Sequence, residues 1–446
     1  MASAAEQLAS NLNFSAFSKA EELKKRIWFT LGALIVYRLG TYVPLPGINP
    51  EAYAQAFGQQ SKGVLGLFNM FSGGAVERLA ILALGIMPYI SASIIIQLMT
   101  SIIPTLEQLK KEGEQGRKII NQYTRYGTVL LGTLQAYGIA VGLESGSNIV
   151  ADPGIFFRIS TVITLVGGTM FLMWLGEQIT ARGIGNGISL IIFSGIVAAL
   201  PSALAGTLEL GRQGALSTPL IIAILVLAAA VIFFIVFMER AQRRLLIQYP
   251  KRQIGNRMFQ GDSSHLPLKL NTSGVIPPIF ASSLLLLPAT AAGFANRESM
   301  PEWLATITAT LGHGQPAYMV LYAALIAFFA FFYTAIVFNP KDTADNLKRH
   351  GGFIPGIRPG ERTAEYIDYV LTRITVIGAI YLIIVCLLPE FLISATGVPF
   401  YLGGTSLLIV VSVTMDTVAQ IQGHLLAHQY EGLVKKSRLR GGKRNK

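Results

Sequence analysis

Runs of about 20 predominantly apolar residues recur along this chain, and they constrain its fold more than any other feature. A helix needs a run of about that length to cross the hydrocarbon of a bilayer. Nine such runs are clear and a tenth is interrupted. They predict spans at 27–43, 81–103, 123–143, 156–176, 187–206, 218–238, 273–292, 317–338, 373–393 and 399–422. Only 13% of the 446 residues are charged, about half the share in a soluble domain. Too little polar surface remains to face water. Cys386 is the single cysteine, so no intrachain disulfide can form, and in its apolar run it reads as a small buried hydrophobe.

Lys24, Lys25 and Arg26 precede the first run, as they would in a signal peptide. No small-residue cleavage site follows, and the run ends in Pro44-Leu45-Pro46-Gly47, so a retained first span is the better reading. Residues 5–25 have amphipathic helical spacing and are expected along the membrane surface. Ten spans put both termini on one side. With a cytoplasmic N-terminus, 30 of the 36 Lys and Arg residues fall in cytoplasmic segments, leaving Arg38, Lys62, Arg78, Arg158, Arg212 and Arg297. One missed span would invert every later loop, so this asymmetry tests the count independently. The net charge of +12 is therefore an orientation signal first. Nucleic-acid binding is a secondary reading of the same residues.

The two halves of the chain look related. Pro88-Tyr89-Ile90-Ser91-Ala92-Ser93 aligns with Pro277-Pro278-Ile279-Phe280-Ala281-Ser282, and Gly187-Ile188-Ser189-Leu190-Ile191-Ile192 with Gly404-Thr405-Ser406-Leu407-Leu408-Ile409. The matches pair spans 2 with 7 and 5 with 10. Five spans per half is odd, so the halves have opposite orientations, as in the inverted repeats of many transport proteins. The domain plan is a cytoplasmic segment 1–26, a first half 27–206, a second half 207–424 and a basic tail 425–446. Residues 64–80 are apolar but broken by Ser72-Gly73-Gly74 and carry Glu77 and Arg78. Paired glycines weaken a helix, and charges at bilayer depth are costly. The segment is either a re-entrant helix in a cavity between the halves or an interfacial helix on the outer surface.

Several chemistries are missing. No phosphate-binding G-x-x-x-x-G-K-[ST] run and no H-E-x-x-H or paired-cysteine pattern occurs. His424 and His428 are four apart at the end of span 10, where a surface pair outweighs a metal site. Ala181-Arg182-Gly183-Ile184-Gly185-Asn186-Gly187 has no preceding strand and reads as a tight turn between spans 4 and 5. Acids within the spans are few, and Asp416 lies inside span 10. It serves either a structural role or, less well supported, a proton or sodium relay. Two long basic loops, 239–272 and 339–372, carry more charge than orientation requires, including Arg243, Arg244, Arg252, Arg257 and Arg358. They read as a docking surface for an acidic protein or phosphate-rich RNA.

FNMFSGGA, ALGIMPYISASIIIQL, KKEGEQGR, QYTRYGT, GTMFLMWLGEQIT, RGIGNGIS, VFNPKDTADNLK, PGIRPGERT and VPFYLGGTSLLIVV resemble the SecY family. These are channel subunits of the bacterial protein-secretion translocase, and the resemblance runs from about residue 20 to 435. It implies an all-α membrane fold of two inverted five-helix halves around a central, hourglass-shaped pore, with a short plug helix. A pore ring falls on Ile86, Ile90, Ile188, Ile192, Ile279 and Ile409. The plug includes Phe68, Phe71, Ser72, Gly73 and Gly74. A lateral gate between spans 2 and 7 includes Ser91, Ile94, Gln97, Ser282 and Ser283. Implied partners are SecE, SecG, the SecA motor ATPase, the translating ribosome, secretory polypeptides and membrane lipid, with no cofactor and no enzymatic activity. The location implied is the bacterial plasma (inner) membrane. Two other readings remain at this point: a secondary transporter of small solutes and a scaffold that recruits ribosomes.

Overall fold

The computed structural model describes the backbone of residues 21–60, 69, 71–144, 149–213, 217–250, 252–254, 257–259, 263–294, 310, 315–396 and 404–441. Side chains are described at all of these except 56, 58–60, 207, 210, 218, 252–254, 257–259, 286–294, 390, 393–396 and 428–441. Each expected span coincides with a helix. In chain order these are α1 (Glu21–Gly40), α3 (Met87–Ile102), α5 (Glu114–Glu144), α6 (Ile155–Arg182), α7 (Gly187–Arg212), α8 (Thr218–Arg240), α9 (Ile276–Phe294), α10 (Pro316–Val337), α12 (Glu361–Thr396) and α13 (Gly404–Gly441). Shorter helices α2 (Pro50–Gln60), α4 (Pro104–Lys111) and α11 (Pro340–Arg349) lie between them. Seven helices among the described residues are long and apolar enough to cross a membrane by themselves. α3 and α4 together make one more such stretch, bent by 99°.

Proline marks many helix starts, because the first turn has no use for its missing N–H. Pro88, Pro104, Pro219, Pro316 and Pro340 all sit there. Span 2 begins at Met87 rather than at residue 81, as the sequence suggested. Residues 81–86 are turns instead, because Ile81 donates its N–H to the Val43 carbonyl and Gly85 takes a φ of +56°. The first 20 residues lie outside the described set, and Glu21 to Arg26 run directly into span 1. Threonines inside the spans turn their hydroxyls onto carbonyls of their own helix, as Thr128 does to Thr124 and Thr334 to Ala330. That satisfies a polar group where the bilayer offers no water.

The internal repeat is visible in the backbone. α3 and α9 start at Met87 and Ile276, each one residue before the first aligned proline. α7 and α13 start at the aligned glycines, Gly187 and Gly404. Both glycines make the same kind of contact. A Cβ on Gly187 would lie 1.9 Å from the Gly176 carbonyl oxygen in α6, and one on Gly404 would lie 1.7 Å from that of Val385 in α12. In each half the fifth span therefore seats its first residue on the backbone of the fourth.

The chain divides into two compact units. One takes in Met1–Pro201, Gly293–Ser299 and Val413–Lys446, and the other Ser202–Ala292 and Met300–Ser412. In the first unit, α5 and α6 are pinned at both ends. Arg125 pairs with Glu177 at 2.7 Å, and Arg158 with Glu144 at 2.6 Å. Glu144 also accepts from the Gly154 N–H at 3.0 Å, so it serves the start of α6 as well. Ala136 and Ala140 are fully buried, which lets neighbouring helices approach closely.

In the second unit the two long loops fold together. Gln242–Gln248 (β1) pairs antiparallel with Ser263–Lys269 (β4), and a smaller ladder joins Arg252–Ile254 (β2) to Arg257–Phe259 (β3). Gln248 and Phe353 exchange backbone hydrogen bonds of 2.9 and 3.0 Å, joining one loop to the other. Beneath them Leu245, Leu268, Ile354, Ile367, Val370 and Ile374 form an apolar cluster. Sequence periodicity gave no sign of these hairpins. Glu239, at the end of α8, accepts from Asn271 Nδ2 at 2.6 Å and from the Tyr381 hydroxyl at 3.4 Å. Asn271 also donates to the Gly274 carbonyl and accepts from Ser273, which fixes the approach to α9.

Candidate gate and pore residues

The described part of 64–80 is Asn69 and Phe71–Ala80, and Phe68 lies outside it. Only Asn69 and Phe71 have helical backbone; from Ser72 the chain is a series of turns. Gly73 and Gly74 take φ of +68° and +84°, open only to residues without a Cβ clash. Asn69 organises the coil. Its Oδ1 accepts the Glu77 N–H at 2.9 Å, its Nδ2 donates to Glu77 Oε2 at 3.3 Å, and its carbonyl accepts from Gly74 N and Ser72 Oγ. Phe71, Ser72, Ala75, Val76, Leu79, Ala80, Leu82 and Leu84 are buried. Glu77 and Arg78 are exposed, and the Arg78 guanidinium lies 4.0 Å from the centroid of the Tyr42 ring. The described part of the segment thus buries its apolar side chains within the protein and keeps both charges out. Gly168 of α6 permits this, since a Cβ there would lie 2.2 Å from the Ile81 carbonyl oxygen.

The six isoleucines lie in the aligned repeats or just before one. In the first unit, Ile86 caps α3, Ile90 follows one turn on, and Ile188 and Ile192 are one turn apart on α7. Ile86, Ile90 and Ile192 are buried, and Ile188 is partly exposed against Gly176. In the second unit, Ile279 and Ile409 are buried on α9 and α13. Ser91 and Ile94 are buried on α3, and Ser282 and Ser283 on α9. Ser282 donates to the Ile279 carbonyl. Gln97 donates to Ser93 at 3.2 Å, while its Oε1 is buried with no partner among the described residues. Arg243, Arg244 and Arg358 are exposed on the loop body. The backbone of Arg252 and Arg257 is in the small ladder, and their side chains lie outside the described set.

The turn before α7 carries more than the sequence suggested. Three of its backbone N–H groups go to side chains from three different spans. Ile184 donates to Thr30 Oγ1 of α1 at 3.1 Å, Gly185 to Gln420 Oε1 of α13 at 2.8 Å, and Gly187 to Thr180 Oγ1 of α6 at 2.9 Å. Asn186 caps α7 by accepting the Ile188 N–H at 3.1 Å. This hub sets the position of Ile188 and Ile192. Replacing Thr30 by valine keeps the shape but orphans the buried Ile184 N–H, which costs about 1–3 kcal/mol. The expected result is a lower melting temperature in detergent for Thr30→Val, with Thr30→Ser, which keeps the acceptor, close to the parent.

Sequence reasoning missed Tyr37, Arg38, Thr30 and Gln420. The one signal available was that Arg38 and Arg78 stand among the few basic residues outside the cytoplasmic set. Asp416, inside span 10, is exposed on α13. No group of three or more His, Cys, Asp or Glu among the described residues is placed to hold a metal ion.

Ten helices in two inverted five-helix halves, with an apolar coil folded ahead of span 2, define a multi-spanning membrane channel. A family model described as SecY matches residues 80–418. The protein translocase subunit SecY of Vibrio cholerae is 58% identical over 432 residues, 96% of this chain and 97% of that protein. The chain belongs to the SecY family. Two solved structures share the fold. One is reported for the plug domain of SecY, which "stabilizes the closed state of the translocation channel", with a TM-score of 0.64 at 18% identity, covering 90% of this chain and 92% of the other. The second is Sec61 in the canine ribosome-channel complex, with a TM-score of 0.60 at 16% identity over the same shares.

Proposed function

We propose that this chain is a passive protein-conducting channel that passes signal-bearing polypeptides across a bacterial plasma membrane and releases apolar segments sideways into lipid. The observation that carries this is the buried coil at 71–86 leading directly into the first isoleucine-bearing helix, in a chain of the SecY family. Isoleucines at 86, 90, 188, 192, 279 and 409 form the pore ring. They offer water and ions no hydrogen-bond partner, so the closed channel resists leak. Residues 64–80 form the plug, and α3 and α9 the sides of the lateral gate. A signal sequence has an apolar core of about 7–15 residues, and burying it in lipid gains about 25 cal/mol per Å². Exit through the side is therefore favourable without any energy source in the channel.

Direction comes from outside. The loop body bearing Arg243, Arg244, Arg252, Arg257 and Arg358 is the dock for a motor ATPase or a translating ribosome, and both termini lie in the cytoplasm. The fold shared with a ribosome-bound channel supports that reading, as does the surplus of positive charge far from the spans. Small subunits of the SecE and SecG kind complete the assembly. A solute transporter is not favoured: it requires a polar site at mid-membrane, and Asp416 of span 10 is exposed on its helix.

The test uses a secretory chain stalled by a bulky folded domain. Its signal sequence is expected to crosslink to both α3 and α9, with photoreactive probes at Ile94 and Ser283. Crosslinks confined to the loop body would remove the channel reading and leave a recruiting scaffold.

A further inference from the structure

We propose that Tyr37 and Arg38, adjacent residues near the end of α1, are the latch that holds the plug in its closed seat. This rests on the reading of 64–80 as the plug. Tyr37 is almost fully buried, and its hydroxyl donates to the Ser72 carbonyl at 3.2 Å. Arg38 Nη1 donates to the Gly73 carbonyl, and its Nη2 to the Tyr42 hydroxyl at 3.2 Å. Two neighbouring side chains of one helix thus grip two consecutive carbonyls of the turn. Those carbonyls are open to capture because Gly73 and Gly74, at positive φ, have turned the chain out of helical geometry.

The seat is tight on the other side as well. A Cβ on Gly73 would lie 2.9 Å from the Tyr37 hydroxyl and 3.1 Å from Gly195 Cα. The Ser72–Gly73 peptide is therefore held between α1 and the backbone of α7. α7 is also the helix that carries Ile188 and Ile192. The Tyr42 ring completes the latch. Its hydroxyl accepts from Arg38 Nη2 and its face receives the Arg78 guanidinium, tying the far end of the coil to the same point.

The bonds that give the coil its shape are separate from those that hold it. Asn69 to Glu77, Asn69 to Gly74 and Ser72 to Asn69 all lie within the segment. The segment can keep its form while it leaves. Among the described residues the polar ties from α1 come from side chains, while backbone bonds between Leu79 and Leu45 and between Ile81 and Val43 anchor the C-terminal end of the coil as a hinge. Loss of a side-chain tie shifts a closed-to-open ratio by several-fold to about tenfold. A guanidinium on a neutral carbonyl is strong enough to hold the closed state and weak enough to release it when a chain enters. A carboxylate partner would make release harder.

The experiment is single-channel recording on the purified translocase in planar bilayers, beside a translocation assay. Arg38→Gln is expected to raise the frequency of open events about tenfold, and Tyr37→Phe by several-fold. Arg38→Lys, which keeps a cationic donor, restores part of the closure. If Arg38→Gln fails to fold, Tyr37→Phe, which removes a single hydroxyl, carries the test. A second variant, Tyr37→Cys with Ser72→Cys in a Cys386→Ser background, is bridged by a short bis-methanethiosulfonate, each cysteine thiolate displacing a methanesulfinate to form a mixed disulfide. Bridging is expected to block both opening and translocation. If bridging blocks them but Arg38→Gln and Tyr37→Phe record as the parent does, the latch is wrong and the plug stands. If the bridged channel opens and translocates as freely as the unbridged one, the plug reading falls and the latch with it.

Discussion

Replacing Gly404 by valine is expected to abolish the folded protein in detergent, and replacing Gly187 by valine to do the same. The first added carbon would sit 1.7 Å from the Val385 carbonyl oxygen at Gly404 and 1.9 Å from that of Gly176 at Gly187. Neither obstacle is a side chain that can rotate away. Both are helix backbone, so α13 or α7 must move off its neighbour. Overpacking of a core commonly costs about 1–3 kcal/mol where side chains can adjust, and the cost here lies above that range. Gly167, in α6, is the control, because nothing lies within 4 Å of a Cβ added there. Gly167→Ala is expected to keep the parental yield and melting temperature. Size-exclusion profiles and thermal melts of the three proteins decide the matter. A parental melt for Gly404→Val would show that the seat of α13 on α12 is misplaced.

Asparagine in place of Ile409 is expected to make the channel leak. Ile409 is 1% exposed, and an amide buried without partners costs about 1–3 kcal/mol in a protein. Part of that cost is recovered by admitting water to the ring, which lowers the barrier an apolar constriction sets against ions. The expected outcome is a raised resting conductance together with looser selection of signal sequences. Ile409→Leu, of equal volume and polarity, should leave both unchanged. The same change at Ile90 and Ile192 tests the ring as a set. If asparagine at all three positions leaves leak and selection at parental levels, these isoleucines do not form the constriction.

Much of the architecture was legible in the sequence because a bilayer is an undemanding reader. It asks for about 20 apolar residues per span and for positive charge on one side, and both are local properties of the chain. The repeat was legible for a similar reason. Proline after a helix start and glycine at a helix contact are residue types with fixed consequences, so Pro88 and Pro277, or Gly187 and Gly404, mark equivalent positions. The isoleucines came with those motifs through the family resemblance.

What tertiary structure decided were contacts made by the backbone, which carries no residue identity to read. Nothing local in Gln248 or Phe353 shows that their peptide groups meet and join two loops about a hundred residues apart. Nothing in Thr30 or Gln420 shows that they accept the N–H groups of a turn between two other spans. The segment 64–80 is the clearest case. Its glycines and charges ruled out an ordinary lipid-facing helix but left two placements open. Only the folded chain buries its described stretch from Phe71 to Val76, because only there do Tyr37, Arg38 and Gly195 come from separate parts of the sequence to hold the same two peptide units.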